Sequence, residues 1–129
     1  MVKFKFHDSL DKVAVIGPRV KDYSQVDEAI ARLRRQGLRI GTFVTRGGKT
    51  GTDAHVRRYA TAHKLKLTEI RSDYRKFGCG SAMVRDRIIV EQSGCVLAFV
   101  GIQGTHAKGT ESVVAYARSK GVPVFWEVV

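Results

Sequence analysis

Cysteine, proline and acidic side chains are scarce in this chain of 129 residues, and no apolar run is long. The two cysteines, Cys79 and Cys95, are too few for a disulfide framework and lack metal-ligand spacing. Cys95 opens the most apolar segment and reads as a small core residue. The four histidines, His7, His55, His63 and His106, form no His-Glu-x-x-His pattern, so neither a metal nor a cofactor is expected. The longest apolar run, from Cys95 to Val100, falls far short of the about 20 residues that cross a bilayer. The opening stretch Met1-Val2-Lys3-Phe4-Lys5-Phe6 alternates charge with apolar groups and lacks the about 7–15 apolar residues of a secretory signal. A cytoplasmic protein with no membrane contact is expected. Acid is short of base, 12 Asp and Glu against 23 Lys and Arg, for a formal net charge of +11. The excess is uneven, with 14 basic and 6 acidic residues over 1–65 and 9 and 6 over 66–129. Such a balance favours anionic partners, the plain alternative being a basic surface kept for solubility.

The apolar content of 43% suffices for a core, and the length suits one domain spanning 1–129. Residues 12–17, Lys12-Val13-Ala14-Val15-Ile16-Gly17, form a short apolar run ending in glycine, as in a strand buried on both faces. Ser24 can cap a helix whose apolar positions Val26, Ala29, Ile30 and Leu33 keep helical spacing; Asp27 and Glu28 fall in its first turn, Arg34 and Arg35 in its last, and Gly37 ends it. A second strand is expected over 39–45, then a glycine-rich loop. A helix follows from Thr52 and Asp53, with Val56, Tyr59, Ala60 and His63 inward. The pattern repeats: a strand over 66–70, a loop over 72–80, and a helix capped by Ser81 that turns Val84, Ile88 and Ile89 inward. A fourth strand over 95–100, a loop over 101–108, a helix from Thr110 to Lys120 and a strand over 122–128 complete the chain. Strands alternating with helices specify a doubly wound α/β domain of three layers with about five parallel strands. Residues 2–6 add a possible edge strand.

In such a sheet, ligands bind beyond the carboxyl ends of the strands, where strand order reverses. That rule selects the loops at Gly17-Pro18-Arg19, at 45–53, at 72–80 and at 101–110. In the second, Thr45, Gly47, Gly48, Lys49, Thr50 and Gly51 precede a helix start at Thr52 and Asp53, which suits a phosphate cradle of backbone N–H groups. Gly101, Lys108, Gly109 and Thr110 repeat the device, with Arg19, Lys49 and Arg85 adding charge. Familiar motifs fail. A Walker loop ending in Gly48-Lys49-Thr50 would need glycine where Phe43 stands, and Gly17 does not open a dinucleotide fingerprint. No Gly-x-Ser-x-Gly elbow is present.

Taken together, these loops resemble the SLOG superfamily of Rossmann-like proteins, most closely its YspA-like branch. Val15-Ile16-Gly17-Pro18-Arg19 stands where the branch has an Ile-Gly-Ser-Arg turn, and Gly47-Gly48-Lys49-Thr50-Gly51-Thr52-Asp53-Ala54 is similar to its Gly-Gly-x-x-Gly-x-Asp signature. Tyr59-Ala60, Asp73-Tyr74, Phe77-Gly78, Arg85-Asp86-Arg87 and Gly109-Thr110 follow in order, so the resemblance covers residue 12 to about residue 126. It departs at Pro18, usually serine, at Arg46, an extra residue before the two glycines, and at Asp86, usually asparagine. The resemblance implies a homo-oligomer that binds nucleotides or nucleotide-derived signals. Its LOG phosphoribohydrolases use an arginine, to which Arg85 aligns, and a glutamate after the Gly-Thr pair, near which Glu111 lies one or two positions early.

Three functions are therefore in play. The first is a sensor or binding protein for a nucleotide-derived ligand. The second is a nucleoside monophosphate N-glycosidase with Arg85 and Glu111 as catalytic residues, Arg85 holding the phosphoribosyl half and Glu111 acting as acid or base. The third is nucleic-acid binding, as in the SLOG relative DprA. For each residue a plainer role competes. Asp53 can cap a helix, Thr110 likewise, and Glu111 is favoured by the dipole alone. Tyr74 and Phe77 can stack on a base or pack their loop down. His106 and Lys108 depend on the loop.

Overall fold

The computed structural model describes residues 11–17, 23–49, 51–100 and 108–128. The strands are β1 (Lys12–Ile16), β2 (Thr42–Thr45), β3 (Lys66–Glu69), β4 (Cys95–Val100) and β5 (Val124–Val128). The helices are α1 (Tyr23–Arg35), α2 (Thr52–Ala62), the short α3 (Tyr74–Phe77), α4 (Ser81–Glu91) and α5 (Lys108–Ser119), with a 3₁₀ turn over Gly78–Gly80 between α3 and α4. All pairings are parallel and the order is β3-β2-β1-β4-β5, a Rossmann-like arrangement.

The layers follow from the alternation of side chains along each strand. Val13 and Val15 of β1 join Val26, Ile30 and Leu33 of α1, Val56 and Tyr59 of α2, Phe43 and Leu97 in one apolar cluster. Ala14 and Ile16 point the other way, to Ile89 and Val90 of α4 and Val113, Val114 and Ala117 of α5. The chain thus winds to one side of β1 through α1 and α2, then crosses to the other side, and the direction reverses between β1 and β4. Gly37 and Gly121, the expected stops of α1 and α5, take φ values of 107° and 72°. Among the described residues no helix is long and apolar enough to cross a membrane.

Several boundaries differ from the sequence reading. α1 begins at Tyr23, so Ser24 lies inside it and no acidic residue falls in its first turn. β2 starts at Thr42 instead of residue 39; just before it, the Gly41 N–H donates to the Asp11 carbonyl at 2.9 Å and the Gly41 carbonyl accepts the Lys66 N–H at 3.1 Å. Leu38 and Ile40 are nonetheless buried, under α1. His63 is exposed; it terminates α2 and stacks on the buried Tyr59 ring, centroids 4.0 Å apart. Ser81 opens α4 without capping it, the N-cap being Gly80. On α4, Ile89 and Val90 are buried while Val84 and Ile88 are half-buried, since apolar and polar side chains are spread round the helix and do not form one stripe. The loop over 72–80 contains α3, whose start is held by the Lys76 N–H bonded to Asp73 Oδ1 at 3.1 Å. α5 begins two residues before Thr110, and β5 starts after Pro123, which has no N–H to give a ladder. The edge strand expected over 2–6 lies outside the described residues.

Burial separates the two cysteines. Cys95 is fully buried in β4, and burial pushes its thiol up to about 12, whereas Cys79 is exposed in the 3₁₀ turn. Because the thiolate is the reactive species, a thiol reagent at neutral pH should label the native protein at Cys79 alone. Mass spectrometry of wild type and Cys79→Ser checks this; labelling of the native Cys79→Ser protein would contradict it.

Candidate functional site

Because all strands are parallel, every strand-to-helix loop emerges at one edge of the sheet. At the centre of that edge, β1 ends in Gly17, where there is no room for a side chain. A Cβ there would lie 2.8 Å from the Phe99 Cβ and 3.0 Å from Thr52 Oγ1. The glycine therefore lets β1 approach both β4 and the start of α2. Thr45, fully buried, ends β2; its carbonyl accepts the Ile70 N–H at 2.8 Å, and its hydroxyl accepts the Gly47 N–H at 3.3 Å. Gly47 has φ of 76°, a left-handed conformation that glycine adopts without penalty.

The glycine loop is fastened from α2. The Gly48 N–H donates to Asp53 Oδ2 at 2.9 Å, and the Gly48 carbonyl accepts from Arg57 Nη2 at 3.0 Å. Asp53 and Arg57 are four residues apart, on one helix face, and together grip both polar groups of one glycine. Arg57 also pairs with Glu69 at the end of β3. So the Gly48 amide, expected to cradle phosphate, is engaged by the chain's own carboxylate. Asp53 acts as a loop clasp, while Gly51 is the N-cap of α2 with no side-chain bond. Burial is the largest influence on Asp53 and raises its pKa; the Gly48 N–H and the nearby Arg46, Arg57 and Arg85 partly offset it.

A second clasp lies beside the first. Asp86, 8% exposed, accepts from Arg46 Nε at 3.0 Å and Arg46 Nη2 at 3.1 Å, and from Arg85 Nε at 3.0 Å. Arg85 also donates through Nη1 to Ser72 Oγ at 3.0 Å. Arg46 and Asp86, two of the three positions at which the sequence departs from the pattern it resembles, thus bond to each other. Arg46 precedes Gly47 and Gly48 in the chain, so its bond to Asp86 sets the second clasp beside the first.

Of the residues singled out from sequence, the structure brings Gly47, Gly48, Asp53 and Arg85 together, with Thr45 beneath. Thr52 is buried against Gly17, and Lys49 is exposed. Lys108, Gly109 and Thr110 form the first turn of α5; Thr110 is fully buried, and its hydroxyl has no partner among the described residues. Ser81, in the first turn of α4, is in the same condition. Pro18, Arg19, Thr50, Gly101 and His106 lie outside the described residues, as do the rings of Tyr74 and Phe77. Glu111 is exposed and lines a groove of about 350 Å³ with Val114, Ala115, Arg118 and Trp126; Arg85 is not among its walls. Sequence reasoning missed Arg57, Glu69 and Ser72 and gave Ser81 only a capping role. The four-residue spacing of Asp53 and Arg57 was a usable signal; nothing local announced the others.

The fold and this rim define a class, the parallel α/β domains with polar side chains gathered at the carboxyl edge of the sheet. In comparisons with known proteins, no family model matches the chain and no curated protein matches its sequence.

Two outcomes follow from the geometry. Gly17→Ala should cost about 1–3 kcal/mol of stability, since the added methyl must displace Phe99 or Thr52; urea unfolding measures it, and an unchanged midpoint would refute the close packing. With its folded-state pKa raised, Asp53 contributes stability at acid pH that is lost as pH rises through that value. Asn at this position keeps an acceptor for Gly48 but no charge to desolvate. The Tm of Asp53→Asn relative to wild type should therefore become more favourable from about pH 3 to about pH 7. A difference that stays flat, or falls, would argue against the buried charge.

Proposed function

We propose that this domain binds a nucleotide or nucleotide-derived phosphorylated molecule at the carboxyl edge of its sheet, as a sensor or ligand-binding protein. The carrying observation is the Thr110 hydroxyl, fully buried in the first turn of α5 with no partner among the described residues. An unsatisfied buried hydroxyl costs about 1–3 kcal/mol, and an oxyanion at a helix start would satisfy it together with the first-turn N–H groups, which have no acceptor within the helix. Ser81 at the start of α4 supports the same reading from the neighbouring helix. Arg85 supplies positive charge, and the reversal of strand order beside β1 marks the edge at which open α/β sheets bind ligands. The resemblance to the SLOG superfamily points to this edge as well. The glycosidase alternative receives less support, because Glu111 opens to the groove at Trp126.

Calorimetry against nucleoside mono-, di- and cyclic phosphates tests the reading. Wild type should bind at least one of them, and Arg85→Ala and Thr110→Val should each weaken that binding about tenfold or more, equivalent to about 1.4 kcal/mol. Binding unaffected by both substitutions would place the ligand elsewhere. Release of free base from a monophosphate would turn the reading to hydrolysis, and a steep loss of affinity with salt would turn it to a polyanion.

A further inference from the structure

Asp86 is the only carboxylate among the described residues that two arginines share by hydrogen bonds from separate segments. Arg46 comes from the loop after β2 and Arg85 from α4, and the Arg85 bond to Ser72 ties in the loop after β3. The three charged side chains are 19%, 18% and 11% exposed for Arg46, Arg85 and Asp86, far from the solvated geometry of loose surface pairs. Two guanidinium groups bonded to one oxygen atom, Asp86 Oδ1, repel each other, so their proximity depends on the carboxylate between them. The cluster carries one net positive charge. Among the described residues the Nη2 group of Arg85 has no partner, while its Nε and Nη1 are fixed by Asp86 and Ser72. A guanidinium fixed at both Nε and Nη1 presents its remaining donors in a set direction.

We propose that Asp86 is a positioning residue that holds Arg85 beside Arg46 to receive the terminal phosphate of a phosphomonoester in preference to a phosphodiester. The proposal rests on the reading of this rim as an oxyanion site. A terminal phosphate offers three acceptor oxygens and about two negative charges, which suits a pair of guanidinium groups; a diester offers two such oxygens and a single charge.

The sign of one substitution separates positioning from bulk electrostatics. Asp86→Asn keeps the shape and makes the cluster more positive. If Asp86 only reduced the local charge, the substitution would tighten anion binding; if it positions Arg85, binding weakens. Inorganic phosphate and dimethyl phosphate serve as probes that need no base, titrated by NMR into the full chain. Wild type should prefer phosphate by about tenfold or more, and Asp86→Asn should lose most of that preference. Arg46→Lys, which keeps the charge but not the two-pronged bond, should lose it similarly and provides the reading should Asp86→Asn fail to fold. The double variant Asp86→Asn with Arg85→Ala should bind phosphate no more weakly than Arg85→Ala alone. Tighter phosphate binding by Asp86→Asn, equal binding of the two probes by wild type, or additive losses would each overturn the proposal. Nucleotide binding without phosphate discrimination overturns this inference alone, whereas phosphate discrimination without nucleotide binding overturns only the nucleotide reading.

Discussion

β1 has no side that faces water: Val13 and Val15 fill one apolar layer and Ala14 and Ile16 the other, all four fully buried. A strand so placed must be covered by helices on both faces, and burying each larger aliphatic side chain contributes about 1.5–3 kcal/mol. The chain satisfies this by winding α1 and α2 over one face and α4 and α5 over the other. The reversal that results puts the end of β1 beside the ends of both β2 and β4. Gly17 is where this constraint is tightest, since Phe99 and Thr52 occupy the space of a side chain.

The rim above Gly17 is assembled by carboxylates more than by glycines. Asp53 and Asp86 each fasten a loop to a helix, one through a backbone amide and the other through paired guanidinium groups. Both are substantially withdrawn from water, which strengthens their bonds and raises the cost of leaving either unpaired. In the proposed reading the oxyanion falls to the starts of α4 and α5 and to Arg85, because the Gly48 amide of the glycine loop is already engaged. A charge excess counted along the sequence overstates what this rim presents, because Arg46, Arg57 and Arg85 all bond to acidic partners.

Element types and their order were readable because burial imposes a period. The span 95–100 reads as a strand buried throughout and coincides with β4, and Val113, Val114 and Ala117 face the core at helical spacing. Boundaries were less legible where a distant partner sets them. β2 opens only after Gly41, whose N–H is bonded to the Asp11 carbonyl just before the neighbouring strand, and Ser81 takes a helical position after Gly80. His63 continued the apolar spacing of α2 yet sits beyond the helix end, exposed, with its ring stacked on Tyr59.

Sequence alone determined the doubly wound parallel sheet and the edge at which its polar loops gather, since both follow from periodicity, chain direction and handed crossovers. Only the tertiary structure decided which polar groups at that edge are already bonded to each other. Arg46 and Asp86 are forty residues apart and Arg57 and Glu69 twelve; a bond between side chains on different elements leaves no periodic trace along the chain. It exists because packing brings the elements together and because buried charges require partners.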